Sequence, residues 1–166
     1  MTISMHQASA PRFARMLRNL SAILGKAQAH CEAKKLDAAA LTTYRLYPDM
    51  FPFARQVQIA CDQAKGAMAR LAGVEPPKHE DTEQTFAELQ ARIAKSLDFV
   101  ESVQPAQLEG SETREVVLKL RSGELKFKGV DYLFNHAYPN FYFHVTTAYA
   151  ILRHNGVELG KKDFVG

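Results

Sequence analysis

The sequence predicts an all-α protein, a bundle of four helices with one small β-hairpin inserted before the last. Three observations carry this. Four stretches repeat apolar residues at the spacing of one helical face. One stretch, "EVVLKLRSGELKFKG", alternates instead. The connections between them are modest, which favours neighbouring helices packed around one core. At 166 residues the chain suits a single domain spanning its whole length, and a chain of this size buries roughly 70% of the surface it exposes when unfolded.

The first helix is expected over residues 11–30, where Phe13, Met16, Leu17, Leu20, Ile23, Leu24 and Ala27 form the stripe. Ser9 is its expected N-cap, with Pro11 in the first turn. Asp37 can cap a short turn, and Pro48 and Pro52 bracket a turning segment. The second helix is expected over 51–71, with Gly73 as its stop. "GVEPPKHEDTE" reads as a linker. A third helix is expected over 82–103, capped by Thr85 with Glu88 or by Asp81 one turn earlier.

In the alternating stretch, Val116, Leu118 and Leu120 share one side with Leu125 and Phe127. A two-residue loop at Ser122-Gly123 would set Arg121 opposite Glu124, Leu118 opposite Phe127 and Lys119 opposite Lys126. The last helix is expected from near Asp131 to Asn155, ended by Gly156 and broken or kinked at Pro139.

Composition narrows the function. The 46% hydrophobic and 23% charged content is that of an ordinary globular protein, and the net charge is only +3 with the basic residues dispersed. No basic face suggests a nucleic-acid partner. No run approaches the ~18 apolar residues of a membrane helix, and the first residues lack a signal-peptide core. Cys31 and Cys61 lie far apart without a CxxC pairing, as expected of free thiols in a reducing cytoplasm.

His144 stands alone in the apolar stretch "PNFYFHVTTAYAILRHNGV". Three roles compete for it: metal ligand, catalytic base, or hydrogen-bonded core residue. His136, Asn140 and His144 recur every four residues and would form one helical stripe. Imidazole suits zinc, nickel or copper, but a metal site normally wants three or four strong ligands, and Asn and Gln are weak ones. His6 is a conceivable further ligand. A catalytic base would need a carboxylate, for which Asp49 and Asp62 are available. The favoured expectation is a polar pocket or hydrogen-bond network between the second and fourth helices, lined by Gln56, Gln58, Asn140 and His144, which satisfies the imidazole without a cation. The consecutive Phe141, Tyr142 and Phe143 point about 100° apart. They cannot all face one core, which motivates a homodimer.

The segments "RLYPDMFPFARQVQIACDQAK", "LAGVEPP", "PNFYFHVTTAYAILRHNGV" and "LGKKDFVG" resemble the domain-of-unknown-function family nineteen-ninety-three, within the DinB/YfiT-like superfamily of metalloenzymes. The resemblance spans nearly the whole chain. It implies a four-helix bundle in which three histidines often hold a divalent metal, and some metal-binding members transfer small thiols. His144 stands where the superfamily has the second histidine of its last helix, with Leu152-Arg153 and Gly156 following. Asn140 takes the place of the first, and the second helix offers Gln56 and Gln58 where its histidine would be. One of three ligand positions is matched, so no cofactor is expected. The alternative is a zinc- or nickel-dependent enzyme such as a small-thiol transferase, with His144, His136, Asn140 and His6 as its donors. A third reading is a dimeric scaffold without ligand.

Overall fold

The computed structural model describes residues 2–120 and 123–166. Its long helices are α1 (Met5–Lys34), α3 (Phe53–Ala72), α4 (Phe86–Ser102) and α6 (Tyr138–His154); between α1 and α3 lies the short α2 (Ala39–Thr42). Strands β1 (Glu115–Leu120) and β2 (Gly123–Lys128) form the hairpin, followed by α5 (Gly129–Tyr132), and α7 (Lys161–Val165) closes the chain. The long helices pack in a circuit: α1 on α4, α4 on α3, α3 on α6 and α6 back on α1. Phe13, Leu17, Leu20, Val57, Met68, Leu89, Phe141 and Ile151 fill the centre. No described helix is long and apolar enough to cross a membrane.

Helix α1 starts earlier than expected. Ser4, not Ser9, is its cap, in a reciprocal capping box with Gln7. Ser9 lies inside the helix, its hydroxyl donating to the Met5 carbonyl at 2.6 Å. Pro11 is therefore interior, where it leaves the Gln7 carbonyl without its helical donor. Helix α3 ends at Gly73, whose φ of +74° is the left-handed conformation that glycine adopts without strain. Helix α4 uses the Thr85–Glu88 box rather than Asp81, and Asp37 accepts from the Ala39 N–H at 2.9 Å at the start of α2.

The hairpin keeps the expected faces, but in another register. Val116 pairs with Phe127, Leu118 with Leu125 and Lys119 with Glu124. The last described pair is Leu120–Gly123. The register is thus two residues from the one expected, and every paired residue takes a different partner while the buried face does not change. Lys119 faces a carboxylate instead of Lys126, which removes a like-charge contact. Arg121 and Ser122, on which the expected Arg121–Glu124 pair depended in part, lie outside the described residues.

The kink expected at Pro139 takes a specific form. Residues Leu133–Ala137 form one π-helical turn between α5 and α6, and the Tyr138 N–H donates to the Leu133 carbonyl five residues back. Widening the helix there makes room for the pyrrolidine ring, which would collide with the carbonyl four residues earlier in a regular α-helix. The three aromatics that follow separate as their angles require. Phe141 is buried edge-on to Phe13, Tyr142 packs on Tyr138, and Phe143 is 57% exposed.

The stretch 73–85 does more than link. It lies over α3 and α4, and the fully buried Arg92 of α4 holds it there. Arg92 donates to the Glu80 carbonyl at 2.9 Å and bridges Asp62 at 2.7 Å, Asp81 at 3.1 Å and Glu83 at 3.0 Å. Lys65 adds a bond to the Pro77 carbonyl at 2.6 Å, and Arg55 pairs with Asp81. Burial works against the charge on Arg92, yet Asp62 and Glu83 hold its pKa above the ordinary value.

Candidate functional site

Helix α3 presents different chemistry on different flanks. Toward α6 it offers Gln56. The Gln56 amide nitrogen donates to the Phe51 carbonyl at 3.0 Å. A carbonyl can only accept, so this bond fixes the amide orientation and turns Oε1 toward His144 Nδ1, 2.7 Å away. Oε1 also only accepts. Hydrogen bonding therefore assigns the proton of His144 to Nδ1 and leaves the lone pair on Nε2. Burial, then the Arg55 charge, lowers the His144 pKa, so the ring is neutral at pH 7.

The other residues expected beside His144 are held elsewhere. Gln58 is two positions along α3 from Gln56, a rotation of about 200°. It is buried on the far flank, accepting from Arg55 at 3.2 Å and donating to a Glu83 carboxylate oxygen at 3.0 Å. Asn140 donates to the His136 carbonyl of its own helix at 2.7 Å. His136 turns to the hairpin, stacked on Tyr132 with ring centres 5.7 Å apart and 5.4 Å from Phe127. His6 lines an apolar hollow of about 670 Å³ with Leu108 and Phe134. Asp62, a possible catalytic partner, is taken by Arg92 and by Lys65 at 3.0 Å. The structure thus joins Gln56 and His144 by a hydrogen bond and engages Gln58 and His136 elsewhere, with His6 at another hollow, while Asn140, one turn before His144 on α6, bonds to its own helix.

A divalent metal, which the superfamily resemblance implies, does not fit this donor set. One imidazole nitrogen remains, flanked by an amide already engaged at both ends. Among the described residues no three His, Cys, Asp or Glu side chains are grouped as a metal site requires. Neither cysteine supplies a reactive thiolate: burial pushes the Cys61 thiol up to about 12, and burial also raises that of Cys31.

The remaining flank of α3 borders the larger cavity, a cleft of about 1050 Å³ between α3, the 74–80 stretch, β1 and the α5–π segment. Its walls mix Val74, Val117, Leu118 and two prolines with Lys65, Arg70, His79, Tyr132 and His136. Arg70 lies back along its own helix over Gly66, where a Cβ would come within 2.5 Å of its Nη1. That nitrogen donates to the Tyr132 hydroxyl at 3.1 Å. Burial, then the Arg70 charge, lowers the His136 pKa, and burial lowers that of His79, whose Nδ1 has no partner among the described residues. None of these residues except His136 stood out in the sequence. The buried ion cluster beside them carried a signal: Arg92, at the helical spacing of the apolar Leu89 and Ile93, marks a buried charge, and its partners come from α3 and the 73–85 stretch.

Comparison with known proteins agrees with this architecture. A crystal structure of a DinB family member protein from Shewanella denitrificans superposes with a TM-score of 0.92 at 46% sequence identity, covering 98% of this chain and 92% of that one. No curated protein matches the chain. The model of the domain of unknown function DUF1993 matches residues 5–165. The chain belongs to the DUF1993 family and has the helical-bundle fold of its DinB relative.

Proposed function

We propose that this protein binds a small organic molecule without a metal cofactor, and that the ligand occupies the cleft beside the C-terminal half of α3. The observation that carries this is the cleft itself. Its volume of about 1050 Å³ is at the upper end of the ~300–1,000 Å³ of small-molecule sites, and it combines apolar walls with a few converging polar groups. The site expected between α3 and α6 has less to offer a ligand, because its two facing polar groups already satisfy each other through the 2.7 Å Gln56–His144 bond. What speaks against a metal-dependent thiol transferase is the donor set: His144 Nε2 keeps its lone pair, but among the described residues no group of three His, Cys, Asp or Glu side chains could hold a cation with it.

Chemical-shift mapping with a fragment library is the direct test. Binding fragments are expected to perturb Val117, Leu118, Tyr132 and His136. Fragments that gather on Asn140 and His144 would return the ligand site to the α3–α6 interface.

A further inference from the structure

Three polar side chains meet on the α3–α5 side of the cleft, and their hydrogen bonds do not balance. Tyr132 is 1% exposed. Its hydroxyl oxygen accepts from Arg70 Nη1, which leaves the hydroxyl proton to be donated, and it donates to no side chain or carbonyl among the described residues. Arg70 makes no other side-chain hydrogen bond and pairs with no carboxylate among them, in contrast to Arg55, Lys65 and Arg92, each of which does. His136 stacks on Tyr132 and lines the same cleft. A buried phenolic donor without an acceptor is costly, and so is a half-buried guanidinium without an anion. Both deficits disappear if one anionic group accepts from the two together.

The other charges around the cleft do not supply that anion. Asp62 is committed to Lys65 and Arg92. Glu75 and Glu80 line the cleft but are exposed. Lys65 is already bound to the Pro77 carbonyl. The uncompensated charge away from the rim is therefore that of Arg70, and Gly66 provides the space in which its guanidinium lies prepositioned. The apolar wall of Val74, Val117 and Leu118 accounts for the rest of the volume.

We infer that the cleft binds an organic carboxylate: the carboxylate accepts from Arg70 and from the Tyr132 hydroxyl, and an apolar body rests against Val117 and Leu118. This rests on the cleft being the ligand site. A guanidinium fork matches the two oxygens of a planar carboxylate, and the bound anion fills the acceptor role that the protein leaves open.

The test titrates the full-length protein with phenylacetate, phenylacetamide and inorganic phosphate, read by chemical shifts and calorimetry. Phenylacetate is expected to bind saturably and to shift Tyr132 and His136, with phenylacetamide at least about tenfold weaker. Arg70→Gln should weaken phenylacetate at least about tenfold while the melting temperature changes little. Tyr132→Phe, which removes only the hydroxyl, should weaken it as well. Equal binding of the amide, unchanged affinity in Arg70→Gln, or no shift with phenylacetate would overturn the inference. Phosphate binding as tightly as phenylacetate would overturn it too, in favour of a bare phosphate site. If anion dependence fails but neutral fragments still map to the cleft, only the ligand class falls. If nothing maps there, the ligand-site reading falls with it.

Discussion

Arg92→Ala is expected to destabilise the protein by about 3 kcal/mol, measured by urea denaturation at pH 7. Arg92 is wholly buried and, among the described residues, is the one cation that reaches Asp62, Asp81 and Glu83 together. Removing one partner of a buried ion pair typically costs roughly 3–5 kcal/mol. The low end applies because Asp62 and Asp81 each keep 36% of their side-chain surface in water, and water screens what remains. Arg92→Lys should recover only part of the loss, since an ammonium cannot reproduce the fork that spans three carboxylates and the Glu80 carbonyl. Acid should weaken the wild type by the same route. Burial opposes the charge on Asp81, but Arg55 and Arg92 outweigh it and hold its pKa below 3.8. Such a group stabilises the fold fully above its unfolded value, and the contribution disappears as pH falls through the folded one. His144, held below 6.5, acts in the same direction at higher pH, because protonating it favours the unfolded chain. Stability should therefore decline from neutral pH into acid. In Arg92→Ala the part of the decline below pH 3.8 should shrink, since Asp81 loses one of the cations that depress its pKa. Unchanged stability in Arg92→Ala would mean that the 73–85 stretch is held by something else.

Gly129→Ala is the second large effect. A Cβ at this position would come within 1.9 Å of the Ser111 backbone carbonyl oxygen and 3.2 Å of Leu71. Neither neighbour is a flexible chain end. Ser111 is itself fully buried, its hydroxyl donating to the Leu108 carbonyl at 2.7 Å, and the next residue, Val130, donates its N–H to the Glu112 carbonyl at 3.1 Å. Overpacking a tight interior typically costs about 1–3 kcal/mol and more when backbone must move, so a loss of at least about 2 kcal/mol is expected by the same denaturation. Gly25→Ala is the control: nothing lies within 4 Å of its Cβ position, and an exposed mid-helix glycine replaced by alanine should gain roughly 0.5–1 kcal/mol. The clash matters for function because Gly129 starts the helical turn that ends in Tyr132. The close approach that excludes a side chain at 129 also sets where the cleft's phenol stands against Arg70.

The helical elements were legible because the apolar stripes of α1, α3, α4 and α6 are local patterns, and local patterns survive folding when a core rewards them. The errors were also local. Ser4 with Gln7 is a capping box as good as any in the chain, yet Pro11 drew attention to the wrong turn. The hairpin register lies two residues from the one expected, a shift that re-pairs every residue while leaving the buried face intact. At Pro139 the expected kink is a π turn. The site was less legible. His144 was conspicuous, and its partner Gln56 was named. Asn140 was grouped with them by the four-residue helical spacing and Gln58 by the family resemblance of its stretch, whereas a rotation of about 200° separates Gln58 from Gln56, and the Asn140 amide bonds a carbonyl of its own helix. The cleft depends on contacts such as Arg70–Tyr132, 62 residues apart, which no periodicity encodes.

Elemental analysis of the untagged, full-length protein bears most directly on whether the α3–α6 position has become a hydrogen-bonded pair and the ligand chemistry has moved to the neighbouring cleft. A lone imidazole without a second strong donor beside its free Nε2 should retain less than about a tenth of an equivalent of zinc or nickel per chain. Zinc or nickel at close to one equivalent, lost on His144→Ala while the fold is kept, would contradict it.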